Sequence, residues 1–349
     1  MHPARRLLLF LATLLFLAVL VAACETDETD ETAEDAEDEE IGTINFYSPE
    51  TPDMTERMAE RFEEEVGGNV TVTGGGTGEI VAQLEAERDN PQADLWYGGG
   101  GWMPFEAVKE DGLLEPYTPE PVADLEEFDG DVWMREEDWY WTGADIFILG
   151  LSYNTEMVSE DELPETWADL ADDRWVDDFQ MPNPAASGTA TLFVISQIMD
   201  QGEEAGWEYF DTIVDNVQAI PDSGAGPTQA VGGGEASLGV AFEFMPYQHQ
   251  DRGEPTEFHI PEETPVLVNP VAKVADGPNP EGAEMFIDWM LSPEGQQARA
   301  EFFHLTISDE IEHEIPITLD DALDHAMDLD PAFVQDNFDA IRDEWRQRY

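Results

Sequence analysis

Met181-Pro182-Asn183-Pro184-Ala185-Ala186-Ser187-Gly188-Thr189-Ala190-Thr191 decides how this chain reads. A strand-like lead-in, Asp178 to Met181, enters it, and the apolar run Thr191 to Met199 leaves it with helical periodicity. The two prolines forbid helix before Ala185, because proline lacks an N–H and fixes φ. Ser187, Gly188 and Thr189 then offer an N-cap hydroxyl and a nearly bare backbone. The segment predicts a helix N-terminus whose first N–H groups face outward. Those groups, with a dipole worth roughly half a positive charge, bind phosphate, phosphonate or carboxylate without a basic side chain. An ordinary strand-to-helix turn shares the pattern, so recurrence decides between the two.

The device recurs three times. Ile41 to Tyr47 reads as a strand ending in Tyr47-Ser48-Pro49-Glu50, and Met54, Met58, Phe62 and Val66 then line one helix face. A strand over Asn69 to Thr73 runs into Gly74-Gly75-Gly76-Thr77-Gly78, ahead of a helix from Glu79 to Arg88. Ala93 to Tyr97 reads as a strand that passes through Gly98-Gly99-Gly100-Gly101 into a helix from Met103 to Glu110. Farther on, Ser223-Gly224-Ala225-Gly226-Pro227 opens a short helix through Val231, with the proline suited to its first turn. Strands alternating with helices predict an α/β fold with a parallel sheet. Ligands on such sheets sit beyond the carboxyl ends of the strands, where these turns fall.

Two longer apolar stretches predict crossovers between halves of the molecule: Thr142 to Asn154, with its run Ile146 to Leu151, and Thr264 to Val274. The strand Leu238 to Phe242 delivers Glu243 at its end, either to a ligand hydroxyl or ammonium or to solvent as one more acid. Trp133, Trp139, Tyr140 and Trp141 fit stacking on a ligand or plain packing equally.

The charge balance is extreme, with 14 Lys plus Arg against 80 Asp plus Glu and a net charge of −66. Such a chain repels nucleic acid, which is excluded as a partner. Salt screens the self-repulsion, the Debye length falling to about 3 Å at 1 M, so the acidity reads as adaptation to a salty medium. At the start, Arg5-Arg6 precede a run from Leu7 to Ala23 in which only Thr13 is polar. Val21-Ala22-Ala23-Cys24 closes that run and resembles the lipobox of bacterial-type lipoproteins, which makes 1–23 a signal peptide and Cys24, the sole cysteine, its lipidation site. An uncleaved membrane anchor is the alternative, and the paired arginines leave Sec and twin-arginine export both open. Residues 24–40, with 11 acids between Glu25 and Glu40, form a solvated tether.

Tyr153-Asn154, Pro164-Glu165-Thr166-Trp167-Ala168-Asp169-Leu170, the opening motif, Gly234-Glu235 with Leu238-Gly239-Val240, and Phe286 through Gln296 carry a family resemblance. Together, from Ile41 to Phe303, they resemble family 1 extracellular solute-binding proteins of ABC importers, in the branch that takes iron(III), hexose phosphates or 2-aminoethylphosphonate. The resemblance implies a two-lobed, type 2 periplasmic-binding-protein-like fold: a mixed sheet flanked by helices in each lobe and a hinge of two crossover strands. It implies lobe 1 at 41–143, lobe 2 at 144–265, and a return to lobe 1 with C-terminal helices at 266–349. It places Ser48, Gly76, Thr77, Gly78, Gly99, Gly100, Ser187, Gly188, Thr189, Ser223 and Glu243 at the cleft, nearly the set that the turns themselves suggest. The consecutive Tyr-Tyr pair of the iron-binding members is missing, since Phe242-Glu243-Phe244-Met245-Pro246-Tyr247 stands there. Tyr47, Tyr97 and Tyr153 remain as phenolate ligands if the solute is iron. A phosphorylated or phosphonate anion fits the dipoles and neutral donors better.

These readings describe a monomeric lipoprotein on the outer face of the cell membrane, without cofactor, that passes its solute to a permease. A sensing role beside a membrane signalling partner would use the same site. Catalysis finds no support: the six histidines form no HExxH, and neither GxSxG nor a P-loop lysine motif occurs.

Overall fold

The computed structural model describes residues 41–308 and 310–349. The expected signal peptide, Cys24 and the tether lie outside them. No helix among the described residues is long and apolar enough to cross a membrane.

Three strands start the fold, β1 (Thr43–Ser48), β2 (Asn69–Gly74) and β3 (Leu95–Tyr97), with β1 pairing parallel to both others. Helices α1 (Pro52–Glu65) and α2 (Thr77–Glu87) join them, and α3 (Met103–Glu110) follows. Short strands β4 (Leu114–Glu115), β5 (Phe128–Asp129) and β6 (Val132–Trp133) lead to β7 (Thr142–Asn154). The next stretch holds β8 (Phe179–Gln180), α4 (Gly188–Gln201), α5 (Glu203–Asn216), α6 (Gly226–Gly232), β9 (Leu238–Phe242), α7 (Phe244–Asp251) and β10 (Thr256–His259). The chain returns through β11 (Val266–Val274), α8 (Pro280–Leu291), α9 (Pro293–Ala300) and β12 (Leu305–Thr306), then closes with α10 (Leu319–His325) and α11 (Pro331–Arg348).

β7 organises both lobes, and all of its residues are buried. Its first half pairs antiparallel with β11, from Thr142 opposite Val271 to Ile148 opposite Val266. Its second half pairs antiparallel with β9 and β10. β11 continues past β7 to pair antiparallel with β3, so lobe 1 carries a mixed sheet of order β2-β1-β3-β11-β7. β8 adds a parallel strand to β9 in lobe 2. The parallel sheet read from strand–helix alternation therefore holds for β1, β2 and β3; β11 runs against it, and β7, antiparallel to β11, runs with it again.

Aromatic side chains fill both faces. Phe46, Phe62, Phe286 and Trp289 pack on one side of the lobe 1 sheet. On the other, Trp96 stacks on Phe105 at 3.7 Å, and Trp133 meets Trp102 and Trp141 edge-on. Trp141 Nε1 donates to Glu106 at 2.7 Å. Trp133 and Trp141 of the expected aromatic cluster are thus packing, held by a buried indole bond, while Trp139 is half-buried under Arg135. In lobe 2, Phe193 and Phe210 form the centre, and α11 docks there through Trp345, whose ring meets Phe210 at 5.8 Å.

Candidate functional site

Ser48 ends β1, fully buried, and its Oγ accepts the N–H of Glu50 at 3.2 Å. Glu50 turns toward Gly98, where an added Cβ would lie 2.6 Å from its carboxyl oxygen. Gly98 to Gly101 all have positive φ, between +79° and +135°, which side-chain-bearing residues adopt at a cost. Thr77 is the first residue of α2, and its hydroxyl donates to Gly99 O at 3.3 Å. Gly76 is the N-cap, and its N–H is taken by Glu79 at 2.9 Å, while Gly78 follows exposed in the first turn. The glycine turn, Thr77 and the Ser48–Glu50 corner thus form one group. Gly100 belongs to it through the glycine turn alone, with open space where its Cβ would be.

A second group forms in lobe 2. Ser187 is the N-cap of α4 in extended conformation, yet its hydroxyl makes no capping bond. Ser187 and Thr189 are nearly buried and Gly188 is exposed. Gly224 abuts both hydroxyls, its Cβ position lying 3.1 Å from Ser187 Oγ and 3.4 Å from Thr189 Oγ1. Asn183 ties the two turns together, donating from its backbone to Pro221 O at 2.8 Å and from its amide to Asp222 at 2.8 Å. Ser223 is exposed beside Gly224, its Oγ accepting Ala225 N–H at 3.3 Å. The first amides of α4 have no intrahelical carbonyl to bond, as at any helix start.

Among the described residues no hydrogen bond joins the two groups directly. A buried polar cluster lies at the crossover strands and reaches the first group through Glu50. Asp145, on β7, receives Tyr97 OH at 2.6 Å, His304 Nδ1 at 3.1 Å and the Arg299 guanidinium at 3.4 Å. Asn269, its partner on β11, donates to Glu50 at 3.0 Å. Glu243 lies on the lobe 2 side, fully buried, with Oε2 accepting Ile148 N–H at 2.8 Å and Oε1 without a partner. Burial pushes its carboxyl up to about 8, against the pull of the Ile148 N–H and of His304. Burial likewise raises Glu50, with His304 pulling it back. Burial opposes charge on His304, but its bond to Asp145 and the fields of Asp145, Glu50 and Glu243 outweigh that and hold it above the usual range. Glu243 is therefore no solvated acid.

Sequence reading overlooks Glu50, Asp145, Asn269, Arg299 and His304. One signal was available: Asp145 is the only charged residue in the thirteen of β7. The three tyrosines stand apart from one another in their bonding. Tyr47 OH bonds Glu87 at 3.1 Å, Tyr97 bonds Asp145, and Tyr153 bonds Glu257 at 2.6 Å. Burial and the neighbouring carboxylates raise all three phenols, Tyr47 to about 12. A cavity of about 510 Å³ lies elsewhere, between α4, α5 and α11, and none of the expected site residues line it.

The family profile described as bacterial extracellular solute-binding protein matches residues 101–314. The chain belongs to the bacterial extracellular solute-binding proteins. A Haemophilus influenzae protein is 30% identical to this member of the family over 260 residues, covering 73% of this chain and 75% of the relative. The iron uptake protein A1 of Synechocystis sp. is 26% identical over 266 residues, covering 72% of each. Among solved structures, the periplasmic binding protein AfuA of Actinobacillus pleuropneumoniae, with fructose-6-phosphate bound, superposes with a TM-score of 0.76 at 27% identity, covering 88% of this chain and 98% of that one. As a solute-binding protein with this two-lobed fold, the chain binds and does not catalyse.

Proposed function

We propose that this solute-binding protein is the capture subunit of an ABC importer, lipid-anchored through Cys24, and that it takes a small phosphorylated or phosphonate anion between its lobes. One observation carries the solute class: the Ser187–Thr189 and Ser223–Gly224 turns adjoin each other, with the Ser187 hydroxyl free of capping duty at the head of a 14-residue helix. Helix-terminal amides and neutral hydroxyls hold an anion without lysine, which suits a chain of net charge −66. Ser48, Thr77 and the Gly98–Gly101 turn would close over the solute from lobe 1, with β7 and β11 as the hinge. AfuA, which binds a sugar phosphate, supports the reading by its likeness.

Iron(III) is the second reading, favoured by the likeness to an iron uptake protein. Against it, Tyr47, Tyr97 and Tyr153 each hold a proton toward a separate carboxylate. Calorimetric titration in molar salt with sugar phosphates, phosphonates, inorganic phosphate and ferric citrate separates the two. Binding of a phosphorylated compound is expected; binding of ferric iron alone, with a visible tyrosinate band, would overturn the assignment.

A further inference from the structure

Four ionisable side chains are buried around the crossover strands where the lobes meet. His304 is 1% exposed, and Asp145, Glu243 and Arg299 are each at 0%. They come from different parts of the molecule. Asp145 lies in the half of β7 shared with β11, Arg299 in α9, and His304 in the connection from α9 to β12. Glu243 lies at the junction of β9 and α7. The His304 ring also stacks on Phe244, the first residue of α7, at 4.4 Å and 16°, and meets Phe147 of β7 at 5.8 Å. It therefore touches lobe 1 chemistry through Asp145 and lobe 2 packing through Phe244.

The groups facing it are few. Asp145 bonds it directly, and the carboxylates of Glu50, from the β1–α1 turn, and Glu243 add negative field. Arg299 and the Tyr97 hydroxyl face the same Asp145 from α9 and β3. With Glu50 and Glu243 protonated, the cluster holds two cations against one carboxylate. With both ionised and His304 neutral, it holds three carboxylates against Arg299 alone. Burying such an excess is costly, and opening the lobes to water relieves it. Glu243 Oε1 and Asn269 Oδ1, buried without partners, mark where water would enter first.

We propose that His304, Glu243 and Glu50, set around the Asp145 carboxylate, form a proton-operated latch between the lobes, closed while those three hold their protons and opened as they lose them. The sign follows from linkage. Burial raises Glu243 to about 8 and Glu50 above its usual range, and His304 also sits high. Hydration on opening would return all three toward ordinary values, so opening releases protons. The closed form is thus fully favoured in acid and is lost as pH rises toward and through about 8. The latch rests on the two-lobed hinge and not on the identity of the solute, so its test needs no ligand.

Small-angle scattering of the ligand-free protein in 2 M KCl, from pH 6 to 9.5, reads the separation of the lobes, and near-UV circular dichroism verifies an intact fold. The radius of gyration is expected to grow by a few per cent as pH rises across this range, with a midpoint that the variants displace. Glu243→Gln should move that midpoint up and His304→Gln should move it down. A constant radius in the folded wild type, or an identical transition in wild type and Glu243→Gln, would overturn the proposal. If His304→Gln does not fold, the wild type and Glu243→Gln decide alone.

Discussion

Thr189 is the second residue of α4, a position that tolerates proline because its N–H has no helical partner. Thr189→Pro removes that donor together with the Thr189 hydroxyl beside Gly224. Losing one hydrogen bond to a charged ligand is worth about 1.5–3 kcal/mol, or roughly tenfold to hundredfold in affinity. Calorimetry with the solute found by screening should show that loss beside a nearly unchanged melting temperature; unchanged affinity would make the turn scaffolding. A pair of alanine substitutions separates strain from crowding. Gly112→Ala meets open space at φ +72° and should cost about 1 kcal/mol, whereas Gly98→Ala at φ +88° also strikes Glu50 and should cost clearly more. Chemical denaturation at fixed salt measures both. The helix-start residues were legible because their chemistry is local: a cap, a glycine and a proline lie within a few positions of each other. The polar cluster was not legible. Asp145 and His304 are 159 residues apart, and only the crossing of β7 by the α9–β12 connection brings them together.

Element boundaries follow the same logic. The helix expected from Met103 to Glu110 and the strand expected from Thr142 to Asn154 match the observed spans, because periodicity and flanking glycines bound them locally. Phe244 to Asp251 is read from sequence only for its missing tyrosine pair, and Pro246 does not break the helix found there. It sits in the first turn of α7, where a missing N–H loses nothing. α11 reads as an acidic helix, but its berth on lobe 2 is invisible, since Val334, Ile341 and Trp345 name an apolar face without naming what it meets. Trp345 is 3% exposed, and Trp345→Ala should cost about 3–5 kcal/mol. Hydrogen exchange should show that loss confined to 331–348, with protection there falling more than roughly hundredfold. A loss spread evenly over lobe 2 would make α11 part of its core and not a docked brace.

At the scale of the whole molecule, charge dominates. Exposed ion pairs such as Arg174–Glu162 and Arg346–Asp343 offset little of a net −66, each being worth at most about 1 kcal/mol. Salt should therefore stabilise the fold. Between 0.1 and 2 M KCl the melting temperature is expected to rise by about 10 °C, the shift that a few kcal/mol makes in a chain of this size. A flat response would remove the reading of the acidity as adaptation to salt. The crossing of β11 back to β3, where Val271 faces Tyr97, bears on biosynthesis as well. Until the ribosome has delivered Val271, one side of β3 has no neighbour, and the nascent chain carries a bare edge ready to pair with another copy. The newborn polypeptide is thus a natural client for a holding chaperone, and truncations upstream of that residue should be recovered as inclusion bodies, not as half a protein.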